Sequence, residues 1–211
     1  VQKNPHHCYD VYTHSVKALG QVRPESALRL AALLHDAGKP ACFSLDEQGV
    51  GHFYGHEGES ARLAEQAAAR LRLNRRTQER VVTLVARHGL QIEATPKVVR
   101  RWLQRLGPVL FFDLLELERA DGMACAPRSA PELDRRAQAE AMAREILAQK
   151  PCLTLKELAV NGRDALAAGL SGPAVGRALN HLLDQVAAGD LPNDRSVLLP
   201  LLNQDVREES W

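Results

Sequence analysis

The stretch LRLAALLHDAGKP, residues 28–40, predicts a helix that ends in an unusual pair of polar residues. Its leucines recur at helical spacing, and Gly38 and Pro40 are typical of a helix end. His35 and Asp36 lie where the sequence otherwise buries leucine and alanine. Burying an imidazole or a carboxylate without a partner costs several kcal/mol. We therefore expect other polar side chains to meet this pair.

The rest of the chain also favours helices, because alanine, leucine and arginine abound while aromatic residues make up only 4% of the 211 residues. One segment differs: residues 42–53 contain a turn-forming DEQG between short apolar runs, which predicts a loop or small hairpin. The fold class that follows is all-α. The predicted helices of the larger, N-terminal part span 9–20, 25–37, 57–72, 76–88, 97–106, 109–123 and 132–149.

A different helical module is predicted at the C-terminal end of the chain. Thr154 and Glu157 form a capping-box pattern that predicts a short helix ending near Ala168. Pro173 and Gly189 are placed like the start and the end of another helix. The last residues, DVREESW, are expected to fray.

The domain boundaries are predicted from the composition change at APRSAP, residues 126–131, and from Pro151. They give a larger helical domain, a connecting loop and helix, and a small C-terminal helical module. These three regions span residues 1–125, 126–150 and 151–205.

The overall charge and the cysteines exclude several classes of protein. The 27 Lys and Arg residues nearly balance the 26 Asp and Glu residues, so no global charge indicates a nucleic-acid or membrane partner. The 4 cysteines form no CxxC pair, which favours reduced thiols and a cytoplasmic location. No membrane-spanning run or secretory signal is present. Because the chain begins at Val1, we expect it to be a trimmed part of a longer protein.

Other histidines and another aspartate also lie on or beside the apolar faces of predicted helices, as His35 and Asp36 do. His88 and Asp121 each lie on an apolar helical stripe, and His14 and His56 lie on or beside predicted helices. A single buried histidine is more often a hydrogen-bonded core residue than a metal ligand. Imidazoles and carboxylates that converge from several helices, however, can satisfy one another through a divalent metal ion. The ordered set therefore favours a metal site.

This order resembles the H…HD…D pattern of the HD-domain superfamily. HDAGK (35–39) resembles its central motif, and ERADGMA (118–124) resembles the helix that carries its last aspartate. The resemblance implies a helical bundle over residues 1–125 and a metal-dependent phosphohydrolase activity. It also implies one or two divalent ions, with Mn, Fe, Ni, Co, Mg and Zn all compatible. The first ion would be held by His14, His35, Asp36 and Asp121, and the second by His56 and His88, with Asp36 bridging.

Longer stretches resemble the HD region of bacterial tRNA nucleotidyltransferase and poly(A) polymerase-like proteins. These are NPHHCYDVYTHSVKAL, LAALLHDAGKP, GVGHFYGHEGESARLA and LVARHGL, and GRDALAAGLSGPAVGRALNHLLDQVAAGDLPN resembles the tail that follows. In the family that tail belongs to the tRNA-binding body. The nucleotidyltransferase head, a Gly-Gly or Gly-Ser loop followed by paired aspartates of the DxD type, is not found in this sequence. We therefore expect no nucleotidyltransferase activity from this chain alone.

Further candidates have two interpretations each. Lys39 is a candidate catalytic residue beside Asp36, either contacting a substrate phosphate or complementing the helix dipole. His7 is a candidate substrate contact or a surface residue. The arginine clusters are candidate RNA contacts or a solvated face, and the residues singled out are Arg75, Arg76, Arg100 and Arg101.

Two functions remain open from the sequence. The first is a metal-dependent phosphodiesterase or phosphatase that acts on nucleotides or RNA ends, with no membrane partner. The second is a non-catalytic, tRNA-binding body of a CCA-adding or poly(A) polymerase-like protein. Neither interpretation indicates an oligomeric state.

Overall fold

The computed structural model describes residues 9–124 and 130–208, with side chains described over 9–124 and 135–202. Within these residues the chain is helical apart from one small hairpin, which confirms the all-α prediction. The helices are α1 (Val11–Gln21), α2 (Ser26–Leu34), α3 (His56–Arg70), α4 (Arg75–Arg87), α5 (Pro96–Ala124), α6 (Ala130–Ala148), α7 (Gly162–Ala167), α8 (Pro173–Ala188) and α9 (Arg195–Glu208). The strands are β1 (Ser44–Leu45) and β2 (Gly51–His52), paired antiparallel with Ser44 opposite His52.

The chain divides into two compact units whose boundaries differ from the predicted ones. Unit 1 comprises residues 1–91 and 109–137, and unit 2 comprises residues 92–108 and 138–211. The division passes through α5, where Gly107 has a non-helical backbone with φ 73° and ψ 160°. The predicted boundaries at 125 and 150 followed composition, whereas these units are defined by contacts between distant segments.

In unit 1, α1 packs against α2, and α2 and α3 both pack against α4. Caps define the starts of these helices: Asp10 accepts a hydrogen bond from the Thr13 amide, and Asn74 from the Thr77 amide. A buried carboxylate, Asp113 on α5, is paired with Arg80 on α4 at 2.7 Å. The core of the unit is mostly aliphatic, and includes Ala27, Leu28, Ala31, Val81, Leu84, Val85, Phe111, Leu114 and Leu117.

In unit 2, α7 packs against α8 and α9 around a separate aliphatic core. The predicted start and end of α8 at Pro173 and Gly189 are confirmed. The predicted helix end near Ala168 is confirmed by α7, whereas the predicted start after Thr154 was wrong. The Glu157 carboxylate does accept hydrogen bonds from the Thr154 amide and hydroxyl, but the chain there only turns. The complete capping box belongs to Asn161 at the start of α7.

The prediction of a frayed C-terminal tail was also wrong for part of its length. The backbone of α9 continues to Glu208. The predicted loop at 126–131 lies largely outside the described residues, which resume at Ala130 as the first residue of α6. Among the described helices, none is both long and apolar enough to cross a membrane.

Candidate metal centre

The polar residues singled out from the sequence converge in unit 1. Each lies at a helix end or on the inner face of a helix. They are His14 on α1, His35 and Asp36 in the turn after α2, His56 at the start of α3, His88 directly after α4, and Asp121 on α5.

Asp36 lies at the centre of this group and is only 1% exposed. Its Oδ2 atom is 3.4 Å from His14 Nε2 and 3.5 Å from His35 Nε2. Its Oδ1 atom is 3.5 Å from both His56 Nε2 and His88 Nε2. One carboxylate thus faces two histidine pairs, one with each oxygen, and forms two potential metal-binding groups that share Asp36.

Asp121 adds a second carboxylate to the first of these groups. Its Oδ1 atom is 2.9 Å from His14 Nε2 and 3.5 Å from His35 Nε2. The two imidazole nitrogens are themselves 3.1 Å apart. Two histidines and two carboxylates therefore direct their ligand atoms at a common space.

The backbone determines which nitrogen of three of these histidines carries hydrogen. Each ring has Nδ1 within hydrogen-bonding distance of the carbonyl oxygen three residues earlier: 2.8 Å for His35 and His56, and 2.7 Å for His88. A carbonyl oxygen only accepts, so Nδ1 must be the donor. The neutral rings therefore present Nε2 as a lone pair toward Asp36, which is the tautomer that metal ligation requires.

The pair of His56 and His88 tests whether the residues fit a metal ion. Their Nε2 atoms are 3.3 Å apart, yet both rings already use Nδ1–H for a carbonyl, so two neutral rings would meet lone pair to lone pair. Nitrogen ligands that lie about 2.0–2.1 Å from one zinc ion are about 2.9–3.4 Å from each other. The spacing and the donor types therefore fit a divalent cation.

The charge state of the two carboxylates also suits a cation. Burial raises the pKa of Asp36, but the adjacent His35, the His56 and His88 rings and the Lys39 ammonium outweigh it and hold the pKa well below its ordinary value. Burial raises the pKa of Asp121 in the same way, and the His14 and His35 rings beside it again bring the pKa below its ordinary value. Both side chains are anionic at neutral pH.

Lys39 is buried and lies against this centre. Its Nζ donates a hydrogen bond to Asp36 Oδ2 at 2.7 Å and lies 5.6 Å from the centre of the Phe53 ring. The sequence suggested either a contact with a substrate phosphate or a cation that complements the helix dipole. The partner in the structure is a carboxylate, so the lysine offsets part of the negative charge of Asp36.

Gly38 explains how the HDAGK segment approaches α3. A Cβ atom at this position would lie 2.6 Å from the Ser60 amide nitrogen and 2.7 Å from the His56 carbonyl oxygen. The Gly38 amide donates a hydrogen bond to Ser60 Oγ at 2.8 Å. Only glycine permits this approach, which places His56 next to Asp36.

Phe53 contributes to the centre although its sequence position did not single it out. Its carbonyl oxygen orients the His56 ring, and its side chain lies beside Lys39. In the sequence, the only local indication of this role is that an aromatic residue lies three positions before a candidate ligand, and this indication is weak. Glu57, the next residue of α3, brings Oε2 to 3.5 Å from His56 Nδ1.

The other predicted contacts are not part of this centre. His7 lies outside the described residues. Arg75 is 91% exposed and pairs with Glu79 one turn later on α4, while Arg76 is exposed. These two arginines belong to unit 1.

Arg100 and Arg101 belong to unit 2, where they have different surroundings. Arg101 is exposed, whereas Arg100 is half-buried and donates a hydrogen bond to Gln149. Arg100 also lines a cavity of about 490 Å³, together with Lys150, Pro151, Cys152, Val186, Ala188, Gly189, Leu191 and Asn193.

Fold and site together define an all-α protein with a buried histidine–aspartate centre. Residues 64–202 match the model of a family described as tRNA nucleotidyltransferase domain 2. Since this match covers more than half of the chain, the chain belongs to the tRNA nucleotidyltransferase family.

Individual relatives agree with this assignment. An A-adding tRNA nucleotidyltransferase of Deinococcus radiodurans is 36% identical over 193 residues, which are 88% of this chain and 44% of the relative. A CC-adding tRNA nucleotidyltransferase of Thermus thermophilus is 36% identical over 169 residues, 79% of this chain and 38% of the relative. The chain thus spans less than half the length of these relatives. No solved structure matches it significantly.

Proposed function

We propose that unit 1 is an HD-type, metal-dependent phosphohydrolase that cleaves phosphate esters of nucleotides or RNA ends. The observation that carries this proposal is the position of Asp36, whose two oxygens each face a pair of histidine nitrogens. The order of ligands along the chain, which resembles the HD superfamily, supports it. The native metal is one or two ions of Mn, Fe, Ni, Co, Mg or Zn.

The residues have distinct roles in this proposal. His14, His35 and Asp121 would hold the first ion, His56 and His88 would hold the second, and Asp36 would contribute one oxygen to each. A bound divalent ion supplies a hydroxide-like water near neutral pH and offsets charge on phosphoryl oxygens.

The role of Lys39 in the same centre is to fix the Asp36 carboxylate by its hydrogen bond. It is also the ammonium group nearest to that carboxylate among the described contacts, and so the candidate cation for the substrate phosphate. A substrate phosphate would therefore meet a lysine whose position is already fixed by its hydrogen bond to Asp36.

A hydrolysis panel tests the proposal. The chain is stripped with a chelator, reloaded with Mn, Ni, Co or Mg, and assayed on 2′,3′-cyclic nucleotides, nucleoside monophosphates and a generic phosphodiester. We expect turnover that requires metal and disappears in Asp36→Asn, because amide oxygen and nitrogen cannot replace a bridging carboxylate. Asp184→Asn, an exposed aspartate of α8, is the matched control and should retain full turnover. Metal binding without turnover on any substrate would contradict the proposal.

A second function is favoured by the cavity of unit 2, whose lining includes both Arg100 and Lys150. We propose that this surface contacts tRNA phosphates, as the relatives are named for acting on tRNA. Phosphate contacts make binding fall steeply with salt. Within the described residues Lys150 has no ion-pair partner, so its charge is available to a phosphate.

Binding of labelled tRNA at several salt concentrations tests this second function. Arg100→Gln and Lys150→Gln should weaken binding and flatten the salt dependence, whereas Arg163→Gln, an exposed control on α7, should not. Binding should survive Asp36→Asn, which separates it from hydrolysis. Absence of tRNA binding at low salt would exclude this function. Nucleotide addition is not expected from this chain alone.

A further inference from the structure

The hairpin of β1 and β2 carries an ordered pair of aromatic rings. The Asp46 carboxylate accepts hydrogen bonds from the backbone amides of Gln48 and Val50 at 3.0 and 2.8 Å. Its other oxygen is 2.7 Å from His52 Nε2. The imidazole of His52 is therefore held in place by a carboxylate that is itself bound to the turn.

Tyr54 stacks on this fixed imidazole. The ring centres are 5.1 Å apart and the ring planes differ by only 6°, which is offset stacking. Tyr54 nevertheless remains 78% exposed, the largest exposure among the exposed large hydrophobic residues described. Stacking thus fixes the plane of the phenol ring and leaves most of its surface open to a ligand.

The hairpin is attached to the metal centre at the residue between these two rings. The Phe53 carbonyl accepts the hydrogen bond of His56 Nδ1 at 2.8 Å, and the Phe53 ring packs on Phe43 and lies beside Lys39. Tyr54 is only two residues from His56, so their Cα atoms are at most about 7 Å apart. The residue that carries the open aromatic surface is therefore a near neighbour of His56 in the chain.

We propose that the Tyr54–His52 stack is a nucleobase-binding subsite beside the metal centre. It would bind the base of the nucleotide or RNA end whose phosphate ester reaches Asp36 and Lys39. Every nucleobase has a π-face, so this subsite would favour nucleotides over base-free phosphate esters without selecting one base strongly. The inference rests on the proposed phosphohydrolase function and adds the substrate feature that is recognised.

Direct binding of a fluorescent nucleotide tests the subsite. Etheno-AMP, whose fluorescence is quenched by stacking, is titrated into the metal-loaded full chain, and ribose 5-phosphate serves as the base-free competitor. Loss of one aromatic–base stack weakens binding by roughly five-fold or more. Tyr54→Ala should therefore raise the dissociation constant for etheno-AMP about five-fold, and leave that for ribose 5-phosphate unchanged. Tyr54→Phe, which keeps the ring, should bind like the wild type.

The controls separate this inference from the function on which it rests. Tyr12→Ala removes a comparably exposed tyrosine, and a rotation of about 200° along α1 directs that side chain away from His14. It should bind etheno-AMP normally, and metal content should be unchanged in every variant. Unchanged quenching in Tyr54→Ala would overturn the subsite whether or not the chain hydrolyses phosphate esters. Weakened binding in Tyr54→Ala, together with no hydrolysis of any substrate by the wild type, would support the subsite and contradict the hydrolase.

Discussion

The burial of Asp36 was predictable from the sequence, whereas the contacts of its two oxygens were not. Its place beside His35 at the end of an apolar helix predicted that it would be buried with polar partners, and the structure leaves it 1% exposed among four histidines. The sequence does not predict which oxygen faces which histidine pair. That depends on how α1, α3, α4 and the turn after α2 pack together, which is decided by contacts between segments distant in sequence.

The assignment of His56 and His88 to a second metal position makes a specific prediction. His56→Ala and His88→Ala should each lose the second ion and retain the first, because His14, His35 and Asp121 remain. Metal content after equilibrium dialysis measures this directly. His181→Ala, an exposed histidine of α8, is the control and should retain both ions. If both variants kept the metal content of the wild type, the second position would be excluded.

Lys39 is predicted to stabilise the metal-free protein. Lys39→Ala removes a buried, charged hydrogen bond to Asp36, and such bonds contribute about 1.5–3 kcal/mol. Denaturant unfolding in the presence of a chelator should show a loss of that size. Lys97→Ala breaks an exposed ion pair with Asp190 and should cost only about 0–1 kcal/mol. Equal losses in the two variants would show that the Lys39–Asp36 contact contributes little.

Among the elements, the helices were predictable and some of their ends were not. Periodic leucines and alanines predicted α1 to α4 to within a few residues, since that pattern is local. The capping-box pattern at Thr154 misled, because the same hydrogen bonds also stabilise a turn and nothing local decides whether a helix follows. The hairpin was expected as a loop or hairpin, but its stacked rings depend on how Tyr54 folds back over His52.

The contact between the HDAGK turn and α3 predicts opposite effects for two glycine variants. Gly38→Ala places a methyl group against the backbone of His56 and Ser60, and such overpacking costs about 1–3 kcal/mol. It should also weaken metal binding, because His56 is displaced. Gly58 lies within α3, where an added Cβ atom would meet no neighbouring atom within 4 Å, so Gly58→Ala should stabilise the helix by about 0.5–1 kcal/mol. Thermal unfolding with and without metal measures both effects, and a neutral Gly38→Ala would contradict the close approach.

For the whole molecule, the division into two units was the feature least accessible from the sequence. The composition change near residue 126 was visible, and the break at Gly107 falls between the predicted helices 97–106 and 109–123, but nothing local marks it as a division between two units. Which segments associate is decided by side-chain contacts across long stretches of chain. The separate core of unit 2 around Leu182 and Leu198 is one such result.

The location of every candidate ligand in unit 1 predicts where metal stabilises the chain. At an ion concentration 100 times the dissociation constant, binding stabilises the native state by about 2.7 kcal/mol, which slows exchange through global opening about 100-fold. Hydrogen exchange with and without metal should show this slowing in α1 to α4, and a smaller change in α7 and α8. Equal slowing in all of these helices, or none in α1 to α4, would contradict the assignment.

The most direct test of the central claim is anomalous diffraction from crystals of the chain loaded with Mn²⁺. Two peaks are predicted on either side of the Asp36 carboxylate. One should lie within coordination distance of His14, His35 and Asp121, and the other within coordination distance of His56 and His88. Crystals of Asp36→Asn grown in the same way should lose the peaks. Occupied Mn²⁺ sites elsewhere, with this histidine–aspartate cluster intact and empty, would contradict the account.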